Sequence, residues 1–127
     1  MTTVETSTEK TSEEVIMERK GAIAKAYRNL AKARNDLWKA NEELITSQRN
    51  LTISTHGILL KVTDPKELGT NETMRQAKIA ELTASEQTAV RVAESNVRLS
   101  QVRYELEQYA VAMNRDIIDV ISATMRG

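Results

Sequence analysis

A single histidine, His56, and three sets of neighbouring carboxylates, Glu42-Glu43, Glu105/Glu107 and Asp116/Asp119, are the residues of this 127-residue chain that could move a proton or hold a cation. Paired carboxylates serve general acid–base catalysis when their environments separate their protonation, and clustered carboxylate oxygens bind hard cations. The surroundings of these acids argue for a plainer role. Glu94–Arg98 and Arg103–Glu107 have the spacing of helical ion pairs, so the acids read as part of a charged, solvated helix face. His56 stands beside Gly57, where an imidazolium suits the negative end of a helix dipole. As a lone imidazole with no cysteine and no second histidine, it is a poor metal ligand set and a poor general-base candidate. Four scattered glycines make no phosphate-binding loop. The reading therefore assigns no catalytic, cofactor or metal residue, and no enzyme is expected.

The remaining chemistry is electrostatic. Between Arg19 and Lys39 lie Arg19, Lys20, Lys25, Arg28, Lys32, Arg34 and Lys39, against one acid, Asp36. Lys25, Arg28, Lys32 and Lys39 share one helical face by spacing, and such a stripe could follow a phosphate backbone or an acidic protein surface. It has no interleaved aromatic residues to stack on single-stranded bases. The solvated or intramolecular reading is favoured over nucleic-acid binding. A second basic group, Lys61, Lys66, Arg75 and Lys78, falls near the middle of the chain.

Composition limits what can position these residues. Basic and acidic side chains number 18 each, so no net field favours nucleic acid or an anionic membrane. Only 3% of residues are aromatic and none is phenylalanine, which argues against a large globular core. The absence of cysteine excludes disulfides and thiolate chemistry. No 18-residue apolar run or signal-peptide core occurs, so a soluble, cytoplasmic protein is expected, with no membrane partner.

Residues 1–11 have little to bury and read as a mobile tail, and residues 12–127 as the folded part. Thr11-Ser12-Glu13-Glu14 has the capping-box pattern of a helix start. From there Ile16, Ile23, Leu30, Leu37, Leu44, Leu51 and Ile58 repeat every seven residues, and three places after five of them come Ala26, Ala33, Ala40, Ser47 and Ser54. Large residues on one row beside small ones on the next allow close approach of a second helix. The neighbouring row Met17, Ala24, Ala31, Trp38 and Ile45 is expected to widen the buried stripe, with Trp38 and Tyr27 as packing residues at its flank. The first helix is placed at residues 12–57, with Gly57 as its end, the connection at 58–70, and the second helix at 71–125.

The second helix carries two apolar rows. Val90, Val97, Tyr104, Val111, Ile118 and Met125 form one. Val92, Leu99, Leu106, Met113 and Val120 form the other, broadened by Val102, Tyr109 and Ile117. An offset of two residues is about 200° around a helix, so the rows face opposite ways and one partner helix cannot cover both. The fold expected is all-α, a long antiparallel two-helix hairpin resembling a coiled coil. Its interfaces should draw on Leu30, Leu37, Leu44, Leu51, Val97, Leu99, Tyr104, Leu106, Val111 and Met113. With one row on the first helix, the other would meet a second chain, giving a helical bundle of a dimer or larger homo-oligomer.

The connection contains the only proline. Asp64-Pro65-Lys66-Glu67 has the form of a helix N-terminus, Gly69 can stop that short turn, and Thr70 or Asn71 can cap the next helix, with Glu72 in its first turn. This turn, with Asn71, Glu72 and Arg75, and the helix after it resemble small helical proteins of tailed bacteriophages and prophages. The resemblance covers the turn and about half of the second helix. It implies a viral origin, a host-cytoplasm location and a place near early replication and recombination functions, but no active site. The functional expectation is a protein-binding module acting as inhibitor or adaptor of a host or phage DNA-metabolism protein. The alternatives are a nucleic-acid-binding accessory factor using Lys25, Arg28, Lys32 and Lys39, and a structural coiled-coil part of a virion.

Overall fold

The computed structural model describes residues 11–62 and 64–126, with Pro65 described in its backbone alone. The expected N-terminal tail therefore lies, except for Thr11, outside the described residues. Every regular element among the described residues is helical: α1 (Ser12–Lys61), a 3-10 turn (Pro65–Glu67), α2 (Glu72–Leu82) and α3 (Ala84–Arg126). Helix α1 packs against α3. No helix among the described residues is long and apolar enough to cross a membrane.

Local chemistry accounts for where each helix starts. Thr11 Oγ1 accepts from the Glu14 N–H (3.1 Å), which satisfies one of the donors left unpaired at the start of α1. Asp64 Oδ1 accepts from the Lys66 N–H (3.0 Å) and opens the 3-10 turn. Gly69, at φ +151°, ends it in a conformation that side-chain-bearing residues rarely adopt. Of the two residues proposed to cap α2, Asn71 does so, its Oδ1 accepting from the Met74 N–H (2.9 Å).

Two departures from the sequence reading follow from packing. Helix α1 does not stop at Gly57 but runs to Lys61. A glycine costs a helix interior only about 1 kcal/mol, and half-buried Ile58 and Val62 continue the apolar row beyond it. The expected second helix is divided into α2 and α3 at Thr83, whose φ of −111° and ψ of 19° leave the helical region. Thr83 is fully buried and satisfied. Its hydroxyl donates to the Ile79 carbonyl (2.8 Å) and accepts from Gln87 Nε2 (3.0 Å), and its carbonyl takes the Gln87 N–H (2.9 Å).

The chain forms two compact units. Among the described residues, the first joins 11–35 to 102–126. Its buried side chains are Ala26 and Ala33 from α1 and Val111 from α3, with Ile16, Ile23, Leu30, Tyr104 and Ile118 half-buried around them. The second unit, Asp36–Gln101, buries Ala40, Ala93 and Thr83, flanked by half-buried Leu37, Leu44, Leu51, Val90 and Val97. There the Ser54 hydroxyl of α1 donates to Glu86 Oε1 of α3 (3.3 Å). In both units the small residues are covered and the large ones are half covered. Contact between helices places the seam out of reach of water, while each flanking leucine keeps one side in solvent.

Candidate docking face and basic stripe

The two rows of α3 have opposite fates. Val111 is buried, and Val90, Val97, Tyr104 and Ile118 are half-buried. The other row is in water. In the first unit Leu106 is 62% exposed, Tyr109 71% and Met113 61%, with Val102 and Val120 also exposed. In the second unit Val92 and Leu99 are exposed. Ile117, read with the open row, is half-buried, whereas Met125, read with the buried one, is exposed. Both stand at places where the rows drift around the helix, since 3.6 residues per turn does not divide seven.

The expected broad stripe on α1 is narrower in the structure. Met17, Ala24, Ala31, Trp38 and Ile45 are all exposed, as is Tyr27, so the row does not join the buried seam and Trp38 is not a packing residue. A residue one place after the leucine row sits about 100° around the helix, beyond the reach of a single neighbouring helix. In the second unit an open groove is lined by Glu42, Glu43, Thr46 and Ser47 of α1 and by Ala89, Val92, Ala93 and Asn96 of α3. Its walls are mostly small or polar.

Lys25, Arg28, Lys32 and Lys39 are all exposed, and none has an ion-pair partner among the described residues. The central basic group is arranged differently. Arg75 Nε donates to the Gly69 carbonyl (3.2 Å), and its Nη1 lies 3.5 Å from Glu72 Oε2. Lys78 Nζ lies 3.8 Å from Glu81 Oε2. These two cations serve the turn and the first helix after it, while Lys61 and Lys66 are exposed. The residues Glu72 and Arg75 of the resemblance thus pair with each other, and Arg75 holds the Gly69 carbonyl of the turn. Among the ion pairs of the described residues, Glu94–Arg98 and Arg103–Glu107 do not appear, and Arg98 Nη2 donates to Ser95 Oγ (3.1 Å).

His56 is exposed, and no group of three or more metal-ligating side chains gathers among the described residues. One carboxyl has a shifted proton affinity. Glu86 is held below the ordinary carboxylate range, first by its own backbone N–H and then by the hydroxyl of Ser85 (3.0 Å), with desolvation opposing them and the hydroxyl of Ser54 adding the least. Sequence reasoning passed over this group, although Thr83-Ala84-Ser85-Glu86 has the Thr-x-x-Glu pattern of a helix start. Through the Ser54 hydroxyl Glu86 ties α3 to α1, while the Thr83 hydroxyl is engaged with Ile79 and Gln87 instead of capping Glu86. Compared with known proteins, no family model, no curated protein and no solved structure matches the chain.

Proposed function

We propose that the chain is a non-enzymatic protein-binding module, an antiparallel helical hairpin whose contact surface is the open apolar row of α3. The observation that carries this reading is the exposure of Leu106, Tyr109 and Met113 in register on one face. Covering such side chains yields about 1.5–3 kcal/mol each, so a row left in water is an unspent driving force for association. The antiparallel arrangement is supported within the second unit, where Ser54 meets Glu86 while the earlier residues Glu42 to Ser47 share a groove with the later Ala89 to Asn96. The Asn71, Glu72 and Arg75 resemblance suggests a phage or prophage origin and an inhibitor or adaptor role in DNA metabolism within the bacterial cytoplasm. The test is a comparison of proteins retained from bacterial lysate by the native chain and by Leu106→Asp/Met113→Asp. A retained protein lost with the double variant supports the reading; identical retention by both excludes the α3 face as the contact.

A second reading, a nucleic-acid-binding accessory factor, is favoured by one observation, the unpaired cations Lys25, Arg28, Lys32 and Lys39. It requires DNA or RNA affinity that falls with salt in proportion to the phosphates contacted. Absence of binding at low salt removes it.

A further inference from the structure

We infer that the open face of α3 in the first unit, from Val102 to Val120, receives a basic amphipathic helix of a partner protein. The apolar row of that helix would lie on Leu106, Tyr109 and Met113, and its lysine or arginine side chains against Glu105, Asp116 and Asp119. This inference rests on the reading of the face as a docking surface and names the chemistry of its occupant.

Spacing fits the face to a helix. Val102, Leu106, Tyr109, Met113 and Val120 are all exposed, and with Asp116 they follow one another at alternating steps of four and three. That is the two-row pattern into which the side chains of a second helix interlock. At 1.5 Å per residue the row is about 27 Å long, room for a helix of about five turns.

Charge selects the kind of helix. Asp116 lies within the row, and Glu105 and Asp119 flank it on one side with Ala112 between them at steps of seven, all of them exposed. On the other side Ala110 and Ile117 are half-buried, so the acidic side is the open approach. Asp116 and Asp119 have no ion pair among the described residues. Beside the row a shallow hollow is lined by Glu105, Gln108, Tyr109 and Ala112. The small Ala112 leaves it open, and a carboxylate next to a tyrosine ring suits a guanidinium or ammonium group.

A second copy fits the same face poorly. A parallel pair sets Asp116 and both flanking acids against their own counterparts. An antiparallel pair kept within this unit, with Tyr109 opposite Met113, sets Asp116 against Leu106 and Glu105 beside Asp119 of the second copy. The first contact desolvates a carboxylate, and the second joins like charges.

Fluorescence anisotropy of the full chain with two labelled helical peptides of about 18 residues tests the pairing. Both peptides carry leucine in the two seam rows; one has lysine and the other glutamate at the flanking positions. The native chain is expected to bind the lysine peptide about tenfold or more tighter than the glutamate peptide, with an affinity that falls as salt rises. Asp116→Lys/Asp119→Lys should remove that preference with helix content by circular dichroism unchanged, and Leu106→Asp/Met113→Asp should abolish binding of the lysine peptide. No binding, equal binding of the two peptides, a preference unaltered by the charge exchange, or binding undiminished by Leu106→Asp/Met113→Asp would overturn the inference. So would a native dimer that Leu106→Asp/Met113→Asp dissociates, which would give the face to a second copy. A lysate protein lost with that variant, together with no binding of the lysine peptide, would leave the docking-face reading standing with another occupant.

Discussion

The two apolar rows of α3 are built from the same kinds of residue, yet one closes against α1 and the other lies in water. Val97 and Leu99 are two positions apart; the first is half-buried and the second 69% exposed. Val111 is buried, and its neighbour Met113 is exposed. Hydrophobic periodicity establishes that a face is apolar, and only the partners at hand determine whether it is covered. Here the fold uses one row, and the other is left in water.

The largest expected effect comes from placing a charge on the closed row. Val111→Asp puts an unpaired carboxylate into the buried seam of the first unit and should cost about 3 kcal/mol or more, read as a loss of helicity or a fall in thermal midpoint by circular dichroism. Next is Ala33→Leu, at the most enclosed alanine of the seam, 2% exposed. Its added side chain must force the helices apart, at about 1–3 kcal/mol in chemical denaturation. An unchanged midpoint would mean that α1 and α3 do not approach closely there.

A smaller change acts away from both rows. Gly69→Ala requires a positive φ and brings a Cβ to within 2.6 Å of Met74 Cβ, so α2 must shift from its cap. A loss of about 1–2 kcal/mol is expected, with association through α3 unaffected. The smallest effect concerns Glu86. Because its folded-state pKa is lowered, the ionised carboxylate contributes stability in full above the ordinary carboxylate pKa, and this contribution is lost as the pH falls through the lowered value. Replacing it by glutamine should flatten that part of the acid-unfolding curve and leave the neutral-to-alkaline part unaltered in shape.

Much of the seam was legible because chemistry and spacing agree. The alternation of leucines with Ala26, Ala33 and Ala40 announced a close helix contact, and these alanines are buried. Thr11 and Asn71 act as caps, as their residue types indicate. Other features depend on contacts that spacing does not reveal. Gly57 marks no helix end, because half-buried Ile58 extends the packing. Trp38 and Ile45 belong to an apolar row by sequence but lie outside the width that one neighbouring helix can cover. The break at Thr83 had a local signal in Thr83 and Glu86, obscured by the strong helical pattern on either side. The candidate basic residues divided in the same way. Arg75 and Lys78 are engaged near the turn, while Lys25, Arg28, Lys32 and Lys39 have no ion pair among the described residues.

The separation of the two rows is tested most directly by thermal unfolding of Val97→Asp and Leu99→Asp, compared at a concentration low enough for self-association to contribute nothing. Val97→Asp is expected to lose about 2 kcal/mol or more, because it charges the seam, whereas Leu99→Asp should remain within about 0.5 kcal/mol of the native chain. Equal losses from both substitutions would contradict the division of α3 into a closed face and an open one.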